Sequence, residues 1–359
     1  MGLVRKNILS LVPYKAGKPI EEVERELRLK NVIKLASNEN PLGPSPKAVE
    51  SIKNNLFKIN RYPDAGGFYL KRKIAEFYKL NPSNIVLGNG SDELIDIIIK
   101  TFVEEDENII TAEITFLEYS IIAKAIGRKI YLVPLKNFRY DLKEMMRRIN
   151  KKTKLIFIAN PNNPTGTYVD RVEFENFING LSDSVIVVLD EAYDTFIDVD
   201  DFPKGINYIN KKNVIVLKTF SKAYGLAGLR LGFAIANKKF SQYMERVRQP
   251  FNVNYFAQIA GIAALEDKGF LEKTRTTILE GKYYLYNALE KLGLNYIPSV
   301  ANFILIDVKM DGEKLFKEML RYGVIVRDLK QYGLNNFIRV TIGKKEENEK
   351  FIKVLRKLI

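Results

Sequence analysis

The sequence predicts an α/β protein: a mostly parallel, seven-stranded sheet in a large domain, followed by a smaller α+β domain. Three observations carry this expectation. Between residues 85 and 236, short β-branched runs recur without polar alternation, the mark of strands buried on both faces. Helical patterns fill the gaps between them, as the crossovers of a parallel sheet require. Beyond about residue 245 the order changes to long helices and then strands again.

Taken in chain order, the first run is Ile85-Val86-Leu87, followed by 91-SDELIDIIIKTFV-103, which reads as a helix opening on Ser91. Asn108-Ile109-Ile110 precedes 117-LEYSIIAKAIG-127, where Gly127 is a helix stop. Ile130-Tyr131-Leu132-Val133 precedes the helical 141-DLKEMMRRIN-150. Four further runs start at Leu155, Val185, Val214 and Phe233. Residues 255–292 read as long helical stretches. Strands return at 303-FILIDV-308, 324-VIV-326 and 337-FIRVTI-342, and a last helix spans 345–358. No Pro/Gly/Ser linker separates the halves, so the two domains should pack closely.

Composition narrows the chemistry. The chain has 359 residues, 46% of them apolar and 28% charged, within the range of an ordinary globular protein. It contains no Cys, His or Trp. Disulfides, thiolate nucleophiles, Cys/His zinc sites and Ser-His-Asp arrangements are therefore excluded. Acid–base work falls to Lys, Asp, Glu or Tyr, and no metal site is expected. The net charge of +14 comes from Lys and Arg spread along the chain among Glu and Asp. That pattern reads as a solvated surface rather than a nucleic-acid site. No stretch reaches the roughly 18 apolar residues of a membrane span. The apolar run 8-ILSLV-12 is too short for a secretory core, so a cytoplasmic protein is expected.

Ligands of open α/β sheets sit at the carboxyl ends of the strands. Four of the runs are followed there by 88-GNGSDE-93, 160-NPNNPTG-166, 190-DEAY-193 and 219-TFSKAYGLAGLR-230. Taken singly, each has an ordinary reading. GNGSDE is a helix N-cap, Asn163 belongs to a turn, Asp190 ends a strand in a turn, and Lys222 is a solvated lysine. Together at one sheet edge they supply what pyridoxal phosphate requires. Lys222 would form a Schiff base, and Asp190 would keep the ring nitrogen protonated. Asn163 and Tyr193 would bond the ring oxygen. Ser221, Arg230 and the helix start at Ser91 and Asp92 would take the phosphate.

These motifs, with 36-ASNENPLGPSP-46, 61-RYPDAGG-67 and 338-IRVTIG-343, resemble the fold-type I PLP-dependent aminotransferases over nearly the whole chain. Within that family, GNGSDE and TFSKAYGLAGLR resemble the histidinol-phosphate aminotransferase branch. The resemblance implies a homodimer in which Tyr62 reaches the cofactor phosphate of a partner subunit. It implies that Phe116 stacks on the cofactor ring, where many members have Tyr. Arg339 would clamp the carboxylate of glutamate and Arg327 would take the substrate's phosphate. The catalytic residues would be Lys222, Asp190 and Tyr193. The implied domains are an N-terminal arm, 1–35, packing on the small domain or partner subunit, a large PLP-binding domain, 36–245, and a small C-terminal domain, 246–359. The expected reaction moves an amino group between L-glutamate and imidazole-acetol phosphate. A threonine-phosphate decarboxylase or an aromatic amino-acid aminotransferase shares most of the cofactor residues and stays open as an alternative. A DNA-binding regulator of the same fold would need an added module, for which the residues before ASNENP leave no room. The glycines around Lys222 are expected to let the backbone approach the cofactor.

Overall fold

The structure, a computed structural model, describes residues 3–13 and 17–359. Two short helices open the chain, α1 (Lys6–Leu9) and α2 (Ile20–Leu27), followed by β1 (Ile33–Lys34). Helices α3 (Pro46–Lys53) and α4 (Phe68–Tyr78) come next. The large sheet then begins with β2 (Ile85–Asn89), α5 (Gly90–Phe102), β3 (Asn108–Ala112), α6 (Glu118–Ile126) and β4 (Lys129–Val133). It continues through α7 (Leu142–Arg148), β5 (Thr153–Ala159), α8 (Arg171–Asn179), β6 (Ile186–Asp190), β7 (Val214–Thr219) and β8 (Leu231–Ile235). Helices α9 (Lys238–Val247), α10 (Tyr255–Glu266) and α11 (Lys268–Lys291) follow. The C-terminal part holds β9 (Asn295–Ile297), β10 (Phe303–Asp307), α12 (Gly312–Arg321), β11 (Val324–Ile325), β12 (Arg327–Asp328), β13 (Phe337–Thr341) and α13 (Lys345–Leu358).

The seven expected runs form one sheet in the order β2-β8-β7-β6-β5-β3-β4. Strands β3 to β7 pair in parallel, whereas β8 runs antiparallel to both β7 and β2. The reversal follows from the connection. No helical crossover separates β7 from β8, so the chain can only turn back. Every residue of β6 and of β3 is buried, as continuous apolar runs require. Short polar side chains start the helices: Asp141 Oδ1 accepts from the Glu144 amide at 2.9 Å, and Asn254 Oδ1 from that of Ala257 at 2.8 Å. Helix α6 stops at Gly127, which has a φ of 90°.

The second sheet is antiparallel, ordered β12-β13-β10-β9, and β1 pairs in parallel with β11. The N-terminal segment thus lies on the C-terminal part of the chain, with Val23 and Val32 buried against Leu320 and Ile325. Helix α1 instead holds the large domain, where Asn7 Nδ2 donates to the carbonyls of Lys124 and Ala125. The core around the large sheet runs past residue 245. Ala257, Ala260, Ala264 and Leu265 of α10 belong to it, and α10 packs on α3 and α4. Tyr193 and Ala223, which border the expected site, belong to the core of the smaller sheet. Among the described residues no helix is long and apolar enough to cross a membrane.

A buried ionic cluster lies behind the ends of β6 and β7. Lys218 Nζ donates to Glu191 Oε2 at 2.6 Å and to Asp194 Oδ2 at 2.5 Å. The Gly205 amide meets the other Glu191 oxygen at 2.6 Å. Removing one partner of a buried pair leaves an uncompensated charge, at a cost of about 3–5 kcal/mol. Lys218→Met should therefore lower the unfolding free energy by that amount. The double change Lys218→Met, Glu191→Gln should recover part of the loss, and chemical denaturation of the two variants checks both.

Candidate active site

The carboxyl ends of β5, β6 and β7 open onto one cavity of about 490 Å³. Eleven of the twelve predicted site residues line it: Ser91, Asp92, Phe116, Asn163, Asp190, Tyr193, Ser221, Lys222, Arg230, Arg327 and Arg339. Tyr62 does not. It stands 81% exposed on the surface, stacked on Phe251 at 4.7 Å.

Lys222 follows β7 through the turn Phe220-Ser221. Its Nζ donates to the Ser37 carbonyl at 3.0 Å and sits 5.8 Å from the centre of the Tyr193 ring. Desolvation in the cavity, helped by the positive charge of Arg339, brings the amine down to about 8. Asp190, the last residue of β6, is buried. Its Oδ1 accepts from the Ala192 amide at 3.0 Å and its Oδ2 from the Tyr119 hydroxyl at 2.6 Å. Burial pushes this carboxyl up to about 6, against those two hydrogen bonds.

Asn163 and Tyr193 come from the loops after β5 and β6. Asn38 Nδ2 donates to the Tyr193 hydroxyl at 2.9 Å. Arg339, on β13, reaches across from the smaller sheet. Its guanidinium donates to Asn163 Oδ1 and, at 2.6 Å, to the Ala36 carbonyl. Arg327 and Arg339 are direct partners in the β12–β13 ladder, so two guanidinium groups start from adjacent positions.

The start of α5 borders the cavity. The first-turn amides of Ser91 and Asp92 have no carbonyl within the helix to meet. Arg230 Nη2 lies 3.1 Å from Asp92 Oδ2. Gly90 has a φ of 80°, and a Cβ there would come within 2.7 Å of the Arg230 guanidinium. The glycines after Lys222 do less for a ligand than expected. A Cβ on Gly225 would meet the Gly43 carbonyl oxygen at 2.1 Å, and one on Gly232 the backbone of Gly90 and Ser91 at 2.7 Å. These two let backbone pack on backbone. Gly228 lines the cavity, with nothing within 4 Å of its Cβ position.

The residues fit a pyridoxal phosphate group. A lysine with a lowered pKa, a buried strand-end carboxylate, a helix start beside Arg230 and an arginine whose buried Nε has no hydrogen-bond partner among the described residues share one space. The model of the family described as aminotransferase class I and II matches residues 30–355. The chain belongs to this family. Among curated relatives, this aminotransferase is 45% identical to the histidinol-phosphate aminotransferase of Moorella thermoacetica, over 99% of this chain and 92% of that one. It is 44% identical to histidinol-phosphate aminotransferase 2 of Carboxydothermus hydrogenoformans, over 99% of each chain. Among solved structures it is similar to histidinol-phosphate aminotransferase from Sinorhizobium meliloti in complex with pyridoxal-5'-phosphate, with a TM-score of 0.91 and 27% identity over 100% of this chain and 99% of that one.

Sequence reasoning missed three members of the site. Ser37 acts through its carbonyl, which leaves no side-chain signal. Asn38 lay inside the noted ASNENP motif without a role. Tyr119 had been read only as part of a helix. The lowered pKa of Lys222 generates a measurable expectation. In the ligand-free aminotransferase, an amine-selective arylating reagent should modify Lys222 with a pH midpoint near 8, far below that of the ordinary lysine at 10.5. Arg339→Met removes a neighbouring positive charge and should raise that midpoint. Peptide mass mapping across a pH series checks both.

Proposed function

We infer that this cavity carries out the transamination between L-glutamate and imidazole-acetol phosphate, giving 2-oxoglutarate and histidinol phosphate in histidine biosynthesis, with pyridoxal 5'-phosphate as cofactor. The relatives at 44–45% identity over 99% of the chain support this reading. The observation that carries it is the meeting of Lys222 with two arginines, Arg327 and Arg339, opposite each other on neighbouring strands.

When bound, pyridoxal phosphate supplies an electron-accepting ring that makes the proton on the amino-bearing carbon removable. Lys222 would hold the cofactor's aldehyde carbon and, once displaced by substrate, take and return that proton at Nζ. Its lowered pKa places the amine near neutrality, where it can do both. Asp190 would hold the positive charge at the ring nitrogen, and the dry strand end strengthens that attraction. Asn163 and Tyr193 would donate to the ring oxygen. The Ser91 and Asp92 amides, Ser221 and Arg230 would bind the cofactor phosphate. Phe116 would cover a ring face.

The two arginines address the substrates. Glutamate carries two carboxylates, whereas histidinol phosphate carries a phosphate and no α-carboxylate. Arg339 is met by the neutral oxygens of Asn163 and Ala36, so its charge remains for an anion. A guanidinium fork suits a carboxylate through paired bonds. Arg327, beside it, would take the substrate phosphate. Like charges directly opposite on two strands repel, and a bound anion relieves that repulsion.

The same proposal includes a cytoplasmic homodimer. Leu56, Phe57, Ile59, Tyr62, Tyr69 and Phe251 are all exposed, a concentration of apolar surface that suits an interface. Tyr62 would then act in the site of a second copy.

Two outcomes are expected. Losing a charged hydrogen-bond partner costs about 1.5–3 kcal/mol, roughly ten- to a hundredfold in rate. Arg327→Ala should cut the single-turnover half-reaction with histidinol phosphate by that factor and spare unphosphorylated donors, while Arg339→Ala should cut the glutamate half-reaction. Equal losses on phosphorylated and unphosphorylated donors would remove Arg327 from the phosphate role. Sedimentation should give a dimer. Mixing inactive Tyr62→Ala and Lys222→Ala chains should restore part of the activity, because one site of each mixed dimer is whole. No recovery after subunit exchange would mean that Tyr62 does not act in the partner's site.

A further inference from the structure

We infer that Tyr119 is a positioning residue whose hydroxyl fixes the Asp190 carboxylate and sets how tightly it grips a protonated ring nitrogen. The inference rests on the proposed role of Asp190 and deepens it. Tyr119 projects from the first turn of α6 and is fully buried. Its hydroxyl lies 2.6 Å from Asp190 Oδ2, within the range of a charge-assisted bond to an ionised acceptor. The ring has little freedom to leave. It stacks on Phe157 of β5 at 4.8 Å, with 12° between planes, and takes the edge of Phe116 at 5.6 Å. Phe116 itself lines the cavity. With Oδ1 held by the Ala192 amide, both carboxylate oxygens are fixed by donors.

The electrostatics agree with the geometry. Burial favours the neutral carboxyl of Asp190, and Asp92 on α5 acts in the same direction. The Tyr119 hydroxyl, the Ala192 amide and Lys218 on β7 oppose them. Lys222 and Arg339 line the same space. Tyr119 itself stays protonated, because burial and the Asp190 charge push its hydroxyl well above the usual phenol range, with Tyr140 and Tyr193 adding to the shift. It is therefore a permanent donor. A neutral Asp190 cannot balance a positive ring nitrogen, so the hydroxyl protects the grip at pH values where burial alone would weaken it.

Equilibrium dialysis of the full-length holoenzyme against pyridoxal 5'-phosphate, at pH values on either side of 6, separates tuning from mere packing. Tyr119→Phe should weaken retention roughly tenfold on the acid side, shift the acid limb upward by about one pH unit, and leave alkaline retention near wild type. Fluorinated tyrosine at position 119, a stronger donor of nearly the same shape, should move the limb the other way. A loss of equal size at every pH, or an unmoved limb in both proteins, overturns the inference. Asp190→Asn is the parallel measurement. If it retains the cofactor with an unchanged pH profile, the Asp190 assignment falls and the inference with it. If it loses the limb while both Tyr119 variants keep the wild-type one, only the role of Tyr119 falls.

Discussion

The guanidinium of Arg339 is the contact on which the rest of the site depends. It is anchored in the smaller sheet, yet its hydrogen bonds go to Asn163, in a loop of the large sheet, and to Ala36, in the segment between them. A charge this deeply buried is tolerated only where its donors find oxygens. Here the oxygens belong to two other parts of the chain. The same charge stands near Lys222 and helps lower its pKa. One side chain thereby joins the two sheets and biases the acidity of the amine.

Segment 35–40 carries this arrangement further. The Leu35 carbonyl accepts from the Thr341 amide at 2.8 Å, and the Asn38 amide donates to the Thr341 hydroxyl at 2.9 Å. Ser37 meets Lys222, and Asn38 meets Tyr193. Four consecutive positions, 35–38, are thus fastened to the smaller sheet on one side and to the cavity on the other. Behind them, Lys218, Glu191 and Asp194 fill the space under the strand ends with paired charge. The site is rigid because polar groups that cannot reach water have been given fixed partners.

Much of this was legible in the sequence, for a physical reason. In a parallel sheet the chemistry falls at strand ends, and each strand here is a continuous apolar run whose end is visible. Lys222, Asp190 and Asn163 could be placed from that rule alone. The rest was hidden where the signal is weak. β1 and β12 are two residues each, too short for any periodicity. The Ser37 carbonyl has no side-chain signature. Tyr119 satisfies a helical pattern and an aromatic core equally well, and only its 2.6 Å approach to Asp190 separates it from packing. Gly225 and Gly232 were read toward the ligand because their neighbour Lys222 is. Their close contacts are with other backbone, which lies far away along the chain.

The pairing of β1 with β11 has a consequence for how the molecule is made. Ile33 sits opposite Val324, and Leu35 and Asn38 bond to Thr341. The partners of this early segment lie far along the chain, 303 positions on in the case of Asn38 and Thr341. The large sheet, closed by β8 at Ile235, can form its core while the segment ahead of it is still unpaired. Contacts of such separation carry a high loop-closure cost and form late. The cavity is therefore assembled at the end of folding, when the returning C-terminal strands capture the waiting N-terminal segment. A chain stalled before residue 324 would hold a folded sheet bearing Lys222 and Asp190 but no enclosed site.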